Sequence, residues 1–348
     1  MHVKNDDFLE ICSKGYLGIL IDIVIYHKVS GYLFLFVEKQ NLWTYFSIEE
    51  KDKLVEDVVK NIQRTSLLWS EARNISYHLA NSNLNFIFLK GISLLHSIYC
   101  GNLYHRFFGD IDILIREEDT DRIVKILNQL DFFQYDNNQK DRMVIVSSKE
   151  LLYKKLFTHE LYPFTKVYNK NLKVSLDINF QFSWKGSRNY SPVNIPFDTI
   201  YENRKFLSAL NGYEMNSYDL LLHLCCHFYN EAIFFNFENT TAYRNICLNR
   251  LQDIYLMLKK YDINIDICKS LTEKYNAKDQ VRYVFSLINY IYQDNNFREI
   301  YWNFIDEIGT YPFFFIKSDG EKINWPISID QIIFNPFQKH EVAKSILL

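Results

Sequence analysis

Proline and glycine are scarce in this chain of 348 residues, which contains six prolines and ten glycines. Because these two residues interrupt helices most often, their scarcity favours long helices. Pro312, Pro326 and Pro336 lie near the end of the chain, so residues 311–348 are predicted to form an irregular tail. The sequence contains no internal repeat and no low-complexity segment, which excludes a repeat architecture.

Cysteine pairs with metal-binding or redox spacing are also absent. The six cysteines form no C-x-x-C motif, which removes the usual signature of zinc ribbons and dithiol redox sites. Residues 1–7, MHVKNDD, are polar and acidic and do not resemble a secretory signal. We therefore expect reduced, buried thiols and a cytoplasmic location.

No apolar run is long and uninterrupted enough to cross a membrane. The best candidate, residues 16–36, contains Asp22, His27 and Lys28. Burying such charges in a bilayer is costly, so this run predicts two core-facing helices and no membrane partner.

An excess of positive charge is missing as well, since the net charge is −3 and the pI is near 6.3. A global basic field that would attract nucleic acid is therefore absent. A local patch is the remaining alternative, although lysines at strand edges more often are simply solvated. The candidate lysines are Lys154, Lys155, Lys166, Lys170 and Lys173.

Two aspartates stand out in the segment RFFGDIDILI, residues 106–115. Asp110 and Asp112 are two residues apart in a β-branched, apolar run, so both side chains project from the same side of a strand. Two such anions repel each other unless a cation bridges them, and Mg²⁺ prefers this kind of oxygen ligand. The alternative is a pair of solvated carboxylates at the end of a buried strand.

The preceding segment FIFLKGIS, residues 86–93, predicts a short strand followed by a helix. Amides at the N-terminus of that helix can face an anion, and Gly91 would let the backbone approach a phosphate without a Cβ. The alternative for Lys90 and Gly91 is an ordinary turn.

Together the two segments resemble the DNA polymerase beta-like nucleotidyltransferase superfamily, in which a glycine turn precedes a metal-binding D-x-D strand. The residues LKG at 89–91, Tyr99, Arg106 and GDIDILI at 109–115 are similar to the "LKG…Y…R…GDIDLLV" block of a family of uncharacterised nucleotidyltransferases. The resemblance extends from about residue 50 to 290. It implies a helix at 119–130, then a hairpin and a strand that carries a third acid.

Asp177 occupies the place of that third acid in the alternating strand of residues 172–180. The family often has a histidine two positions later, where this chain has Asn179. His223 and His227 match a later helix with two histidines, and Arg250 and Asp253 match a following "L-x-D" helix. The i, i+4 histidines also suit zinc, but without an evident third ligand they are interpreted as structural residues or lining of the cleft. Arg250 and Asp253 are predicted to form a local ion pair.

The predicted site follows from these residues and the resemblance. Asp110, Asp112 and Asp177 are the predicted catalytic residues and metal ligands, and Asp177 is the predicted base. The predicted cofactor is Mg²⁺, with Mn²⁺ as the alternative, and the predicted substrates are an NTP, most simply ATP, and a hydroxyl acceptor. Ser93 would donate to a phosphate, Lys90 or Arg106 would neutralise phosphate charge, and Arg106 could equally pair with Asp110 or Asp112. The predicted nucleotide-binding residues are Lys90, Gly91, Ser93, Arg106 and Gly109.

Three functions are compatible with this pattern. The first is transfer of a nucleoside monophosphate to a small molecule, peptide or protein. The second is a tRNA-modifying nucleotidyltransferase toxin, which the missing basic surface argues against only weakly because a local groove would suffice. The third is a non-catalytic binding protein, which the three retained acids argue against.

The fold class indicated is α+β, with a small mixed β-sheet as the nucleotidyltransferase core. We expect an N-terminal helical region at 1–82, the core at 83–212, a C-terminal helical lobe at 213–310 and the tail beyond. The site would lie in the cleft between core and lobe, with His159 and Glu160 at its edge. Predicted strands are 85–89, 111–115, 143–146, 151–157, 172–180 and 205–210. Predicted helices are 7–38, 49–82, 91–100, 118–130, 217–229, 243–260, 264–275, 278–293 and 297–308.

Overall fold

A six-stranded mixed β-sheet surrounded by helices forms the centre of the protein in a computed structural model. The structure describes residues 5–136, 144–169, 172–182, 193–233, 246–304, 314–316 and 321–335. The α+β class predicted from the sequence is confirmed. The strands of this sheet are β1 (Phe86–Leu89), β2 (Asp110–Ile115), β3 (Phe164–Asn169), β4 (Leu172–Asn179), β5 (Lys205–Leu207) and β6 (Gly212–Glu214).

The sheet has the strand order β3-β4-β2-β1-β6-β5. Strand β2 pairs in parallel with β4 and antiparallel with β1, and β1 pairs in parallel with β6. The two central strands, β1 and β2, are buried along almost their whole length and are mostly apolar, as is typical of strands inside a core. Ile111, Ile113 and Ile115 in β2 are fully buried. The sheet therefore holds β2 and β4 side by side, with their backbones fixed at the centre of the core.

Helices make up most of the remaining structure. The N-terminal helices are α1 (Asn5–Ser13), α2 (Leu17–Tyr26), α3 (Ser30–Gln40) and α4 (Ile48–Asn81). Those of the sheet region are α5 (Lys90–Ser97), α6 (Thr120–Gln129), α7 (Ser148–Phe157) and α8 (Phe197–Glu202). The C-terminal helices are α9 (Ser217–Ile233), α10 (Leu248–Lys260), α11 (Ile265–Lys274), α12 (Lys278–Tyr292), α13 (Asn295–Phe304) and α14 (Ile329–Phe334). No helix in the described part of the chain is long and apolar enough to span a membrane.

The apolar run at residues 16–36 forms the two helices α2 and α3, as predicted. A tight turn at His27 and Lys28 separates them, and Lys28 adopts the left-handed backbone conformation with φ of +56°. Helix α4 begins at Ser47, whose hydroxyl accepts from the Glu50 amide while the Glu50 carboxylate accepts from the Ser47 amide. Such a capping box satisfies two of the amide groups that a helix start leaves without partners.

The predicted strand at 151–157 is wrong, because these residues belong to α7. Ser147 and Glu150 form a capping box at the start of this helix, and the apolar side chains do not alternate as a half-buried strand requires. The predicted strand at 143–146 is reduced to a single bridge between Ile145 and Tyr135, and Met143 lies outside the described residues.

Two strands of the central sheet, β3 and β6, were not predicted. Edge strand β3 mixes a buried Phe164 with polar side chains, and β6 has only three residues, so neither presents a strong periodic pattern.

The tail is also more regular than expected, since β7 (Phe314–Ile316) and β8 (Lys322–Asn324) form a hairpin and α14 follows. A capping box between Ser328 and Gln331 starts that helix. Parts of the predicted helices, 243–245 and 305–308, lie outside the described residues.

Candidate active site

A cavity of about 450 Å³ lies between the sheet and helices α9 and α10. Its lining combines residues of β2 and β4 with residues of the C-terminal helices, as the predicted cleft between core and lobe requires. The charged residues that line it are Lys28, Lys90, Arg106, Asp110, Asp112, Glu160, Asp177, Glu231, Arg250 and Asp253. Such a density of charge in a concave site is typical of a site for a charged ligand.

The three predicted catalytic carboxylates share one face of the sheet. Asp112 is the direct register partner of Asp177 on the neighbouring parallel strand, and Asp110 is one pleat away on β2. The alternate residues of β4, including Leu176 and Ile178, are fully buried on the opposite face. The sequence reasoning about side-chain alternation is therefore confirmed for both strands, and Asp110, Asp112 and Asp177 all line the cavity.

The carboxylates are crowded and only partly offset by a cation. The Lys90 ammonium lies 2.8 Å from Asp112 Oδ1. Burial raises the pKa of Asp112 to about 6, with Lys90 opposing and Asp110 adding to the shift. Burial and the charges of Asp112 and Asp110 raise the pKa of Asp177 to about 8. The carboxylates thus repel each other, and additional positive charge would stabilise their ionised forms.

The donor set fits a hard divalent cation such as Mg²⁺. No group of three or more histidine, cysteine, aspartate or glutamate side chains in the described parts of the chain is arranged to hold a metal unaided. Mg²⁺ does not need such a cage, because one or two carboxylates usually hold it together with water and substrate phosphates. The same-face pair of Asp110 and Asp112, beside Asp177, is a donor set of that kind.

Gly91 and Ser93 of the predicted glycine turn make other contacts than the phosphate contacts expected. A Cβ at Gly91 would lie 2.6 Å from Cγ and 2.7 Å from Cβ of Phe108, so packing already requires glycine there. The Ser93 hydroxyl is fully buried and donates to Glu214 Oε2 at 2.6 Å. Gly91 and Gly109 line the cavity, whereas the structure does not bring Ser93 to it.

Arg106 pairs with neither Asp110 nor Asp112, contrary to one of the two expectations. Its guanidinium Nη2 lies 2.8 Å from Asp253 Oδ2, and the Tyr99 hydroxyl donates to Asp253 Oδ1 at 2.7 Å. The prediction of a local ion pair between Arg250 and Asp253 is wrong, because Arg250 pairs with Glu231 of α9. The buried triad of Tyr99, Arg106 and Asp253 ties the segment between α5 and β2 to α10.

The two histidines of α9 both line the cavity. His223 Nδ1–H donates to the Phe182 carbonyl oxygen at 2.9 Å, and burial lowers the pKa of His223 to about 3. Burial likewise lowers the pKa of His227, whose Nε2 lies 3.5 Å from Glu231. The pair is therefore neutral lining of the cleft, in agreement with the structural interpretation.

His159 and Glu160 lie at the edge of the cavity, as predicted. The His159 carbonyl accepts from the Phe180 amide, and the Leu161 amide donates to the Ile178 carbonyl, so this segment is fixed along the end of β4. Lys154 Nζ lies 2.6 Å from Glu160. Of the other lysines of the predicted basic patch, Lys166 pairs with Glu71 and Lys155 with Asp121, and Lys170 lies outside the described residues.

Sequence reasoning missed Lys28 and Glu231 as lining of the cavity. Lys28 had one visible signal, since it is a charge within a long apolar run, but that signal was used only against a membrane span. Glu231 lies at the end of an apolar helix and had no distinguishing pattern.

Comparison with known proteins agrees with the geometry of this site. A family model described as uncharacterised nucleotidyltransferase matches residues 18–293, more than half of the chain. A search of curated proteins found no match. The matched region includes the sheet, the three carboxylates and helices α9 and α10. The chain therefore belongs to this family of uncharacterised nucleotidyltransferases.

Proposed function

We propose that this protein transfers a nucleoside monophosphate from an NTP to a hydroxyl group of a small molecule, peptide or protein. ATP is the expected donor, and pyrophosphate is the second product. The observation that carries the proposal is the placement of Asp112 directly beside Asp177 on paired strands, with Asp110 on the same face. Three carboxylates that face cationic side chains across one cavity suit transfer chemistry on a metal-bound polyphosphate.

The expected cofactor is Mg²⁺, with Mn²⁺ as the alternative ion. Asp110 and Asp112 would hold it, with Asp177 as a further ligand of the site. When bound, the ion supplies positive charge that stabilises the negative charge on the phosphate oxygens. Lys90, next to Asp112, adds a cation from the protein itself.

The transfer step exchanges one P–O bond for another. The acceptor oxygen bonds to the α-phosphorus, the bond from that phosphorus to the oxygen bridging the β-phosphate breaks, and the electron pair leaves with pyrophosphate. The acceptor loses its proton to a base. Asp177 suits this role because it shares the face of Asp110 and Asp112 and lines the same cavity.

A labelling experiment tests the proposed function. Purified protein is incubated with Mg²⁺, a cell lysate and each NTP in turn, labelled either at the α-phosphate or at the γ-phosphate. Nucleotidyl transfer attaches only the α-label to an acceptor and releases the γ-label in pyrophosphate. A gel and a chromatogram then assign the acceptor to protein, RNA or small molecules. Attachment of the γ-label, or no attachment of either label, would contradict the proposal.

Carboxylate variants connect the activity to the site. Asp110→Asn should abolish transfer, because it removes one of the paired oxygen ligands. Asp177→Asn should keep NTP binding but lose transfer by on the order of a hundredfold or more, the usual scale for loss of a general base. Asp52→Asn, on the exposed surface of α4, is the matched control and should leave transfer unchanged. Full transfer by the Asp177 variant would remove Asp177 from the mechanism.

A further inference from the structure

Besides Lys90, three cationic side chains line the cavity, and they come from three separate parts of the chain. Lys28 lies in the turn between α2 and α3, Arg106 lies just before β2, and Arg250 lies in α10. Burial lowers the pKa of Arg250 to about 10, and the positive charge of Arg106 lowers it in the same direction. Burial also lowers the pKa of Lys28, and both arginines lower it further. The protein therefore holds like charges close together, which favours an anion between them.

The carboxylates near the cluster of Lys28, Arg106 and Arg250 do not neutralise all of its positive charge. Asp253 pairs with Arg106, and Glu231 pairs with Arg250. Within the described residues, Lys28 forms no hydrogen bond or ion pair with a carboxylate. Arg106 is only 6% exposed. Its Nε is buried and has no hydrogen-bond partner among the described residues. The positive charge of Lys28 thus remains without a carboxylate partner, and the guanidinium of Arg106 is only partly satisfied.

The turn that carries Lys28 is fixed to the helix that carries Arg250. His27 is fully buried, its Nε2–H donates to the Ile333 carbonyl oxygen at 3.1 Å, and its Nδ1 accepts from the Leu248 amide at 3.3 Å. Leu248 is the first residue of α10. Both ring nitrogens of one buried histidine therefore hold the backbone next to Lys28 against the start of the helix that presents Arg250.

The glycine turn is poorly suited to hold the far phosphates of a nucleotide. Gly91 is packed against Phe108, and the single proton of the Ser93 hydroxyl is committed to Glu214. Lys28 and Arg250, by contrast, line the cavity and are both electrostatically coupled to Asp110. The positive charge available for phosphate thus lies on the helical side of Asp110.

We propose that Lys28 and Arg250, supported by the positive charge of Arg106, hold the β- and γ-phosphates of the donor NTP, in place of the serine of the glycine turn. This inference rests on the proposed function and adds that a residue of the N-terminal helices completes the substrate site. The cluster recognises the polyphosphate chain and contributes nothing to the choice of base. After transfer, the same residues hold the leaving pyrophosphate.

Binding of inorganic tripolyphosphate tests the cluster without any transfer chemistry. The dissociation constant is measured by calorimetry with Mg²⁺ and again with EDTA. Lys28→Asn is the main variant, because asparagine tolerates the left-handed backbone of residue 28 and removes only the charge. It should weaken binding by about tenfold in both buffers, the loss of one charge-assisted contact. Lys28→Arg should bind within about threefold of the wild type, and Lys39→Asn, an exposed control on α3, should have no effect.

Three results would overturn the inference. The first is equal tripolyphosphate affinity of Lys28→Asn and wild type, and the second is no binding by the wild type in either buffer. The third is simultaneous binding of tripolyphosphate and ATP, because the proposal requires them to compete. These results are independent of the proposed function. If label is transferred but Lys28→Asn binds tripolyphosphate as the wild type does, only the proposed phosphate-binding role of the cluster is contradicted. If the cluster binds tripolyphosphate but no label is transferred, only the proposed transfer activity is contradicted.

Discussion

Lys90 Nζ lies 2.8 Å from Asp112 Oδ1, with the lysine side chain 21% exposed and the aspartate side chain 6% exposed. Burial acts to lower the pKa of Lys90, but Asp112, Asp110 and Asp177 together hold it above its ordinary value. The protein thus carries its own cation among the three carboxylates, and this cation is present whether or not a metal is bound.

Lys90→Met should destabilise the metal-free protein, because it leaves buried carboxylates without their cation. The expected loss in free energy of unfolding is about 3 kcal/mol, typical of removing one partner of a buried pair. Mg²⁺ should then raise the melting temperature of the variant more than that of the wild type. Lys154→Met is the control, because Lys154 pairs with Glu160 in a more exposed ion pair. It should lower the free energy of unfolding by less than about 1 kcal/mol. Equal losses in urea unfolding of both variants would contradict the prediction.

Stability without metal should fall as pH rises between about pH 5 and pH 8. Asp177 has a pKa of about 8 in the folded protein and 3.8 as its ordinary value, so the folded state keeps a proton that the unfolded chain releases in this range. Stability then decreases with pH because the folded state binds more protons. Asp112 acts in the same direction up to about pH 6.

Asp177→Asn should flatten this pH profile and raise stability at the alkaline end, because asparagine cannot ionise. Chemical denaturation in EDTA across the range measures the difference between variant and wild type. The exposed Asp52→Asn variant should retain the slope of the wild type. An unchanged slope in Asp177→Asn would show that Asp177 is not the crowded carboxyl.

Gly91→Ala should destabilise the fold by about 1–3 kcal/mol, the usual cost of overpacking a core. The added Cβ would lie 2.6 Å and 2.7 Å from the Cγ and Cβ of Phe108, atoms close to the backbone that cannot move away easily. Phe108→Leu should relieve part of this clash, so the double variant should lose less than the sum of the single losses. Additive losses in urea unfolding would contradict a direct contact between the two residues.

Asp253→Asn should be more damaging than Tyr99→Phe, although both change the same buried triad. The first substitution leaves the Arg106 guanidinium buried without its carboxylate, with an expected cost of about 3–5 kcal/mol. The second removes only one donor to Asp253, with an expected cost of about 1–2 kcal/mol. Urea unfolding of both variants measures the order, and a reversed order would show that Asp253 does not act mainly through Arg106.

The arrangement of the three acids could be predicted from the sequence because it depends on local geometry. Side chains alternate along a strand, so the spacing of Asp110 and Asp112 and the pattern around Asp177 determine a shared face once the strands pair. The break between α2 and α3 could also be predicted locally, because charges interrupt the apolar run of residues 16–36. Residues 151–157 were misassigned because a short apolar run suits a helix as well as a strand.

The partners of the charged residues were decided only by the tertiary structure. Arg106 pairs with Asp253, Arg250 with Glu231, and Lys28 reaches the cavity beside them. Each of these relationships joins different elements of the fold, so it depends on how α9, α10 and the N-terminal helices pack around the cavity. Which acids share a strand face follows from the order of residues alone, because backbone alternation is local. The packing of distant elements decided which cation meets which anion, because a long charged side chain can reach any partner that the fold brings near it.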